Sequence, residues 1–168
     1  MIGRRIKFFR NRKGLTQKQL GEKLGFKGKT SEVRMAQYET ESRIPKETLL
    51  QQIAYLLDIS PLALNVPEID SLYGLMHTLF ALEDIYGFKI TEKEGELCLC
   101  LDKTVTSTQS DLYSSLVSWQ KEFAKLNTGE ISKEEYDHWR YTYPEMDAQR
   151  TKAMFDQLRT KQKNNTEK

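Results

Sequence analysis

A chain of 168 residues with 38% hydrophobic side chains is long enough for one domain or two small ones around a modest core. No apolar stretch approaches the roughly 20 residues of a membrane span, and Arg4, Arg5 and Lys7 are not followed by the apolar run of a signal peptide, so a soluble cytoplasmic protein is expected. The net charge of +2 divides unevenly: residues 1–66 hold 13 Lys and Arg against 6 Asp and Glu, residues 67–168 hold 13 against 18, and the basic N-terminal part suits a polyanion.

Ile2, Ile6 and Phe9 recur at helical spacing, and Gly14 stops that first helix. Thr16-Gln17-Lys18-Gln19 is a capping box opening a second helix, with Leu20 and Leu24 as its inner stripe and Gly25 at its end. Phe26-Lys27-Gly28-Lys29 reads as a turn. Thr30 or Ser31 can cap a third helix that runs through Val33, Met35 and Tyr38 to about Thr40. Pro45 suits the first position of a fourth helix carrying Leu49, Leu50, Ile53, Ala54 and Leu57. Ser60-Pro61 caps a short fifth helix with Leu62 and Leu64.

Asn65-Val66-Pro67-Glu68 marks a boundary, giving a first domain over 1–66, a second region over 67–160 and a disordered tail over 161–168. Leu72 to Leu82 reads as part of a buried helix closed by Gly87. Phe88 to Thr91 and Leu97 to Leu101 alternate as strands around Glu92-Lys93-Glu94-Gly95-Glu96, a β-hairpin. Leu112, Leu116, Trp119, Phe123 and Leu126 form a heptad-like seam that fits a core or a partner helix. Ser132-Lys133-Glu134-Glu135 is another capping box, for a short helix with Tyr136, Trp139 and Arg140 that Pro144 breaks. A last weakly amphipathic helix would contain Met146, Met154, Phe155 and Leu158.

Cys98 and Cys100 share one face of a strand and stand too close to bond each other, so they read as small buried hydrophobes in a reducing compartment. With no Cys-x-x-Cys pair, and with His77 and His138 far apart on helices, no metal site is expected. There is no Gly-rich phosphate loop and no Gly-x-Ser-x-Gly, and neither a cofactor nor an enzyme activity is expected.

Residues 3–64 resemble the Cro/C1-type helix-turn-helix family, also called XRE. The resemblance rests on Gly3-Arg4-Arg5-Ile6, Phe9-Arg10, Gly14-Leu15-Thr16-Gln17, Leu20, Leu24-Gly25, Tyr38-Glu39, Ile44-Pro45, Leu49, Ile53-Ala54, Leu57 and Ser60-Pro61, in the family's order. It implies a mainly α protein: a five-helix lambda-repressor-like DNA-binding domain, followed here by a small α+β region of helix, hairpin and helices. It also implies that the helix around 31–39 reads the major groove of double-stranded DNA, where base edges present distinguishable donors and acceptors. Glu32, Val33, Arg34 and Gln37 are then the base readers: arginine forks onto guanine, glutamine onto adenine, glutamate accepts from cytosine, and valine meets a thymine methyl. Gln17 matches the family's phosphate-contacting glutamine, and Arg43 and Lys46 add phosphate contacts. Arg10 and Glu39 occupy the family's partly buried ion pair, a structural role.

From Thr16 to Glu39 the chain is several residues longer than the family's usual spacing, the excess falling at Phe26 to Thr30. Either the turn is an extended loop or the reading helix gains a turn at its start. Lys27 and Lys29 could then reach a phosphate or a minor-groove edge. Three tasks are open for the whole chain. One is a homodimeric regulator, most simply a repressor, with dimer surfaces on 71–86 or 108–127. Another is an antitoxin-like regulator whose acidic second half binds a toxin. The third is an enzyme or small-ligand sensor controlled through the helix-turn-helix.

Overall fold

Ile6 and Phe9 lie on one side of α1 (Ile2–Arg12) and are fully buried, so the basic residues of this helix are left to its other faces. The computed structural model describes residues 1–67, 69, 71–101 and 107–145, with backbone only for 107–110. The last expected helix and the tail lie outside these residues. After Gly14, at φ +67°, Thr16 caps α2 (Gln17–Lys23): its hydroxyl accepts from the Gln19 N–H at 3.1 Å, and the Gln19 side chain accepts from the Thr16 N–H at 2.8 Å.

The third helix corrects the expected start. α3 (Lys29–Glu39) begins two residues before Ser31, with Gly28 at φ +58° as its cap residue. Thr30 and Ser31 are not caps. Ser31 is fully buried beneath the Phe26 carbonyl, to which its hydroxyl donates at 2.8 Å. Of the segment Phe26 to Thr30, Lys29 and Thr30 therefore belong to the helix and the rest to the turn. α4 (Glu47–Leu57) also starts later than expected: Lys46 is its cap residue, and Pro45 stands outside it. The fifth element is a 3-10 turn, Pro61–Ala63, capped by the Ser60 hydroxyl.

Two units make up the chain. The first holds Met1–Val66 together with the described residues from Asp137 to Glu145. Its core is Ile6, Phe9, Leu20, Met35, Tyr38, Leu50, Ile53, Ala54, Leu57 and Leu64, drawn from α1 to α4 and from the residue that follows the 3-10 turn. The returning segment adds Tyr141, whose ring meets the edge of Phe9 at 4.8 Å and whose carbonyl accepts from the Ser60 N–H at 2.8 Å.

The second unit, Pro67–Tyr136, opens with α5 (Leu72–Tyr86), capped by Ser71 and closed by Gly87 in the left-handed region. β1 (Phe88–Lys93) and β2 (Glu96–Leu101) pair antiparallel in the register Phe88↔Leu101 and Ile90↔Leu99. Their turn is only Glu94-Gly95, both at positive φ, which is the two-residue geometry that matches strand twist. α6 (Ser107–Asn127) follows, and its Trp119 donates to the Tyr136 hydroxyl at 2.6 Å. α7 (Lys133–Thr142) begins in this unit with the Ser132–Glu135 capping box and ends in the first. The architecture is mostly helical with one small two-stranded sheet after the N-terminal domain, the fold class read from the sequence.

Two burial expectations are corrected. None of α5 is buried, although Leu72 to Leu82 reads as a core segment. A two-stranded hairpin is too small to cover such a helix all round. Cys100 is exposed and Cys98 half-buried, because β2 keeps both of its faces largely open among the described residues. Among the described residues, no helix is long and apolar enough to cross a membrane, and no cluster of His, Cys, Asp and Glu could hold a metal ion.

Candidate nucleic-acid interface

The site begins with a buried ion pair that fixes α3 against α1. Arg10 and Glu39 are 8% and 6% exposed, and the guanidinium meets the carboxylate with two N–H groups, Nε to Oε1 and Nη2 to Oε2, the second at 3.0 Å. Nη1 of Arg10 donates to the Leu15 carbonyl at 2.7 Å. This satisfies the charge on every side, as burial of an ion requires. Gln17 joins the same cluster, its amide donating to Glu39 Oε2 at 2.8 Å.

α2 and α3 meet where Gly21 lies under Ser31. A Cβ on Gly21 would come within 2.5 Å of the Ser31 carbonyl, so only glycine allows this approach. The corner thus holds α3 by its Ser31, Met35, Tyr38 and Glu39 side, all buried. At about 100° per residue the opposite side carries Lys29, Val33, Ala36, Gln37 and Thr40, with Thr30 beside them.

Of the four expected base readers, Val33 and Gln37 stand on this outward line, Val33 being 53% exposed. Glu32, exposed, and Arg34, half-buried, occupy the two shoulders. The Arg34 guanidinium lies over the Phe26 ring, 4.8 Å from its centroid. The Gln37 carbonyl accepts from the Arg43 N–H and from the Ser42 hydroxyl, each at 3.2 Å, which ties the loop after α3 to its last turn. Lys27, Lys29, Arg43 and Lys46 are all exposed, the first two on either side of Gly28. Thr30, Ala36 and Thr40 were not among the expected site residues. Reading Ser31 as a buried position, not a cap, would have extended the face to Thr30.

Residues 6–64 match the family model described as helix-turn-helix. The crystal structure of the transcriptional regulator BswR is 28% identical and covers 52% of this chain and 97% of its own, with a TM-score of 0.39. A SinR protein/SinI protein complex is 21% identical and covers 72% of this chain and 98% of its own, also at a TM-score of 0.39. No curated protein is a significant match.

Proposed function

We propose, from the match of residues 6–64 to the helix-turn-helix family model, that the protein is an XRE-type transcriptional repressor that binds double-stranded DNA by sequence, with α3 in the major groove. One observation carries the reading. α3 is locked along one side by the buried Arg10–Glu39 pair, while along the other Lys29, Val33 and Thr40 are exposed and Ala36 and Gln37 half-buried. A helix held from behind with an accessible front edge is what the groove admits, about 12 Å wide in B-DNA.

On this reading Gln37 pairs with adenine, Arg34 forks onto guanine, Val33 meets a thymine methyl and Glu32 accepts from cytosine. Lys27, Lys29, Arg43, Lys46 and Gln17 contact phosphate, which fixes register without reading sequence. The protein acts as a homodimer in the cytoplasm, placing two copies of α3 on half-sites one DNA turn apart. Support for a protein interface comes from the second unit, where Leu72, Tyr73, Met76 and Phe80 on α5 are exposed together with Ile90, Leu97 and Leu99 on the hairpin. The same exposure supports a second reading, in which that unit binds a toxin. Sedimentation of the chain alone separates them: a dimer supports the first and a monomer the second.

Selection of duplexes from a random pool tests the main proposal. A palindromic consensus is expected, with Arg34→Ala and Gln37→Ala each losing roughly 1–3 kcal/mol of discrimination at its own base pair. A protein that retains no duplex even in dilute salt overturns it.

A further inference from the structure

An arginine brings five N–H donors, yet among the described residues none accepts a hydrogen bond or forms an ion pair with Arg34. Its only partner there is the Phe26 ring, 4.8 Å from centroid to Cζ, which is stacking distance for a guanidinium on an aromatic face. That ring is itself held. The Phe26 N–H donates to the Gly21 carbonyl at 3.0 Å, its carbonyl accepts from the Ser31 hydroxyl at 2.8 Å, and its side chain packs against the core of the first unit. Phe26 lies in the connection between α2 and α3, so the turn that leads into α3 also supplies the surface on which Arg34 rests.

The geometry leaves the arginine ready for an acceptor. A guanidinium that rests over a ring keeps N–H groups on its edge for hydrogen bonds, so the ring contact and an acceptor are compatible. A free arginine gives up its rotamers on binding, and a stacked one has given most of them up beforehand. Arg34 is one turn from Thr30 and one turn from Gln37, at i−4 and i+3, hence beside the outward line of α3. From that shoulder an edge-on fork suits the O6 and N7 of guanine. We propose that Phe26 is a positioning residue that presets Arg34 for guanine, making the connection between α2 and α3 a determinant of sequence preference. This rests on the DNA-reading role of α3 proposed above.

The test uses the full chain, the consensus duplex that it selects from a random pool, and a scrambled duplex of equal length. Arg34→Ala is expected to erase the guanine preference at one position of each half-site. Phe26→Leu, which keeps an apolar side chain but no ring, is expected to weaken that same position roughly fivefold and leave scrambled-duplex binding unchanged. Phe26→Tyr is expected to bind as the unaltered chain does, and Phe26→Leu to add nothing once Arg34 is alanine. Melting curves of the Leu and Tyr variants report whether the domain stays folded. Three results overturn the proposal: Phe26→Leu binding like the unaltered chain, Phe26→Leu weakening both duplexes alike, or Arg34→Ala weakening all sequences alike, which makes Arg34 a phosphate contact. If the unaltered chain selects no consensus, the DNA-reading role itself fails. If it selects one and any of the three results appears, only the role of Phe26 fails.

Discussion

Arg12 and Asp137 stand 125 residues apart in sequence and form an ion pair of 2.7 Å within the first unit. Asp137 is buried, and its other oxygen accepts from Arg140 at 2.6 Å. Tyr141 completes the cluster: the guanidinium groups of Arg12 and Arg140 each lie 5.0 Å from its ring centroid. The helix-turn-helix core is thus finished by a segment from far along the chain. Asp137→Asn is expected to lower stability by about 1–3 kcal/mol, less than for a fully buried pair because Arg12 keeps some solvent. Tyr141→Ala is expected to cost about 2–4 kcal/mol through the packing lost on Phe9. Urea denaturation of the full chain measures both. Variants within about 0.5 kcal/mol of the unaltered chain, the range of ordinary surface changes, contradict the role assigned to this segment.

Glu39 ties α3 to both α1 and α2, since Arg10 and Gln17 both bond to it. Glu39→Gln leaves the buried Arg10 charge with the Leu15 carbonyl and a weak amide, and is expected to cost about 3–5 kcal/mol. Replacing both partners at once, Arg10→Met with Glu39→Leu, strands no charge and is expected to cost less than the sum of the single changes. Denaturation of all four proteins completes the double-mutant cycle. Costs that simply add contradict the coupling.

Much of this fold is legible in short patterns. Thr16 with Gln19 and Ser132 with Glu135 announce two helix starts, and both boxes close in the structure. Gly14, Gly25 and Gly87 end helices at positive φ, as their positions suggest. The start of α3 is not legible, because its cap is Gly28, which offers no side-chain oxygen, while Thr30 and Ser31 both mimic caps from inside the helix. That error hides Thr30 from the outward face. The periodicity of Met35 and Tyr38 still fixes the buried side, which is why Val33 and Gln37 are found on the other. No local pattern marks residues 137–145 as part of the first unit, since the attachment depends on tertiary partners such as Arg12 and Phe9. The apolar run of α5 misleads for the opposite reason: periodicity shows that a face is apolar but not what covers it.

Lys27, Arg43 and Lys46 are exposed around the two ends of α3, and none lies on its outward line. Alanine at each is expected to weaken all duplexes alike and to reduce the slope of log K against log salt by about 1. Lys29 differs, because it lies on that line one turn before Val33. Lys29→Ala is therefore expected to alter base preference at the edge of the half-site as well. Binding to consensus and scrambled duplexes over a salt series distinguishes the two behaviours, and identical behaviour of all four variants removes the distinction.

Gly21→Ala tests the corner directly. Alanine favours a helix over glycine by about 1 kcal/mol, so an open site would be stabilised. Here the new methyl would lie within 2.5 Å of the Ser31 carbonyl and 2.8 Å of its Cα, and backbone cannot swing aside as a flexible side chain does. A net loss of about 1–3 kcal/mol is expected, together with weaker binding to every duplex as α3 tilts away from α2. A gain in melting temperature excludes the close approach.

Glu135 accepts a hydrogen bond from the Ser132 N–H at 2.8 Å, and its own N–H donates to the Ser132 hydroxyl at 3.1 Å. The Ser132 N–H first, and its hydroxyl second, hold the Glu135 carboxyl below its ordinary value, against a small opposing effect of burial. A carboxyl whose value is depressed on folding stabilises above its unfolded value, and the contribution is lost as pH falls through the folded one. The first turn of α7 is therefore expected to loosen on the acid side of the ordinary glutamate range and to stay closed above it. Ser132→Ala removes the hydroxyl but keeps the backbone donor, so the Glu135 midpoint is expected to move part of the way back up. An NMR titration of the Glu135 side chain reads this directly. A midpoint unmoved by Ser132→Ala shows that the backbone N–H alone holds the carboxylate, and leaves the serine with only its N–H cap to the start of α7.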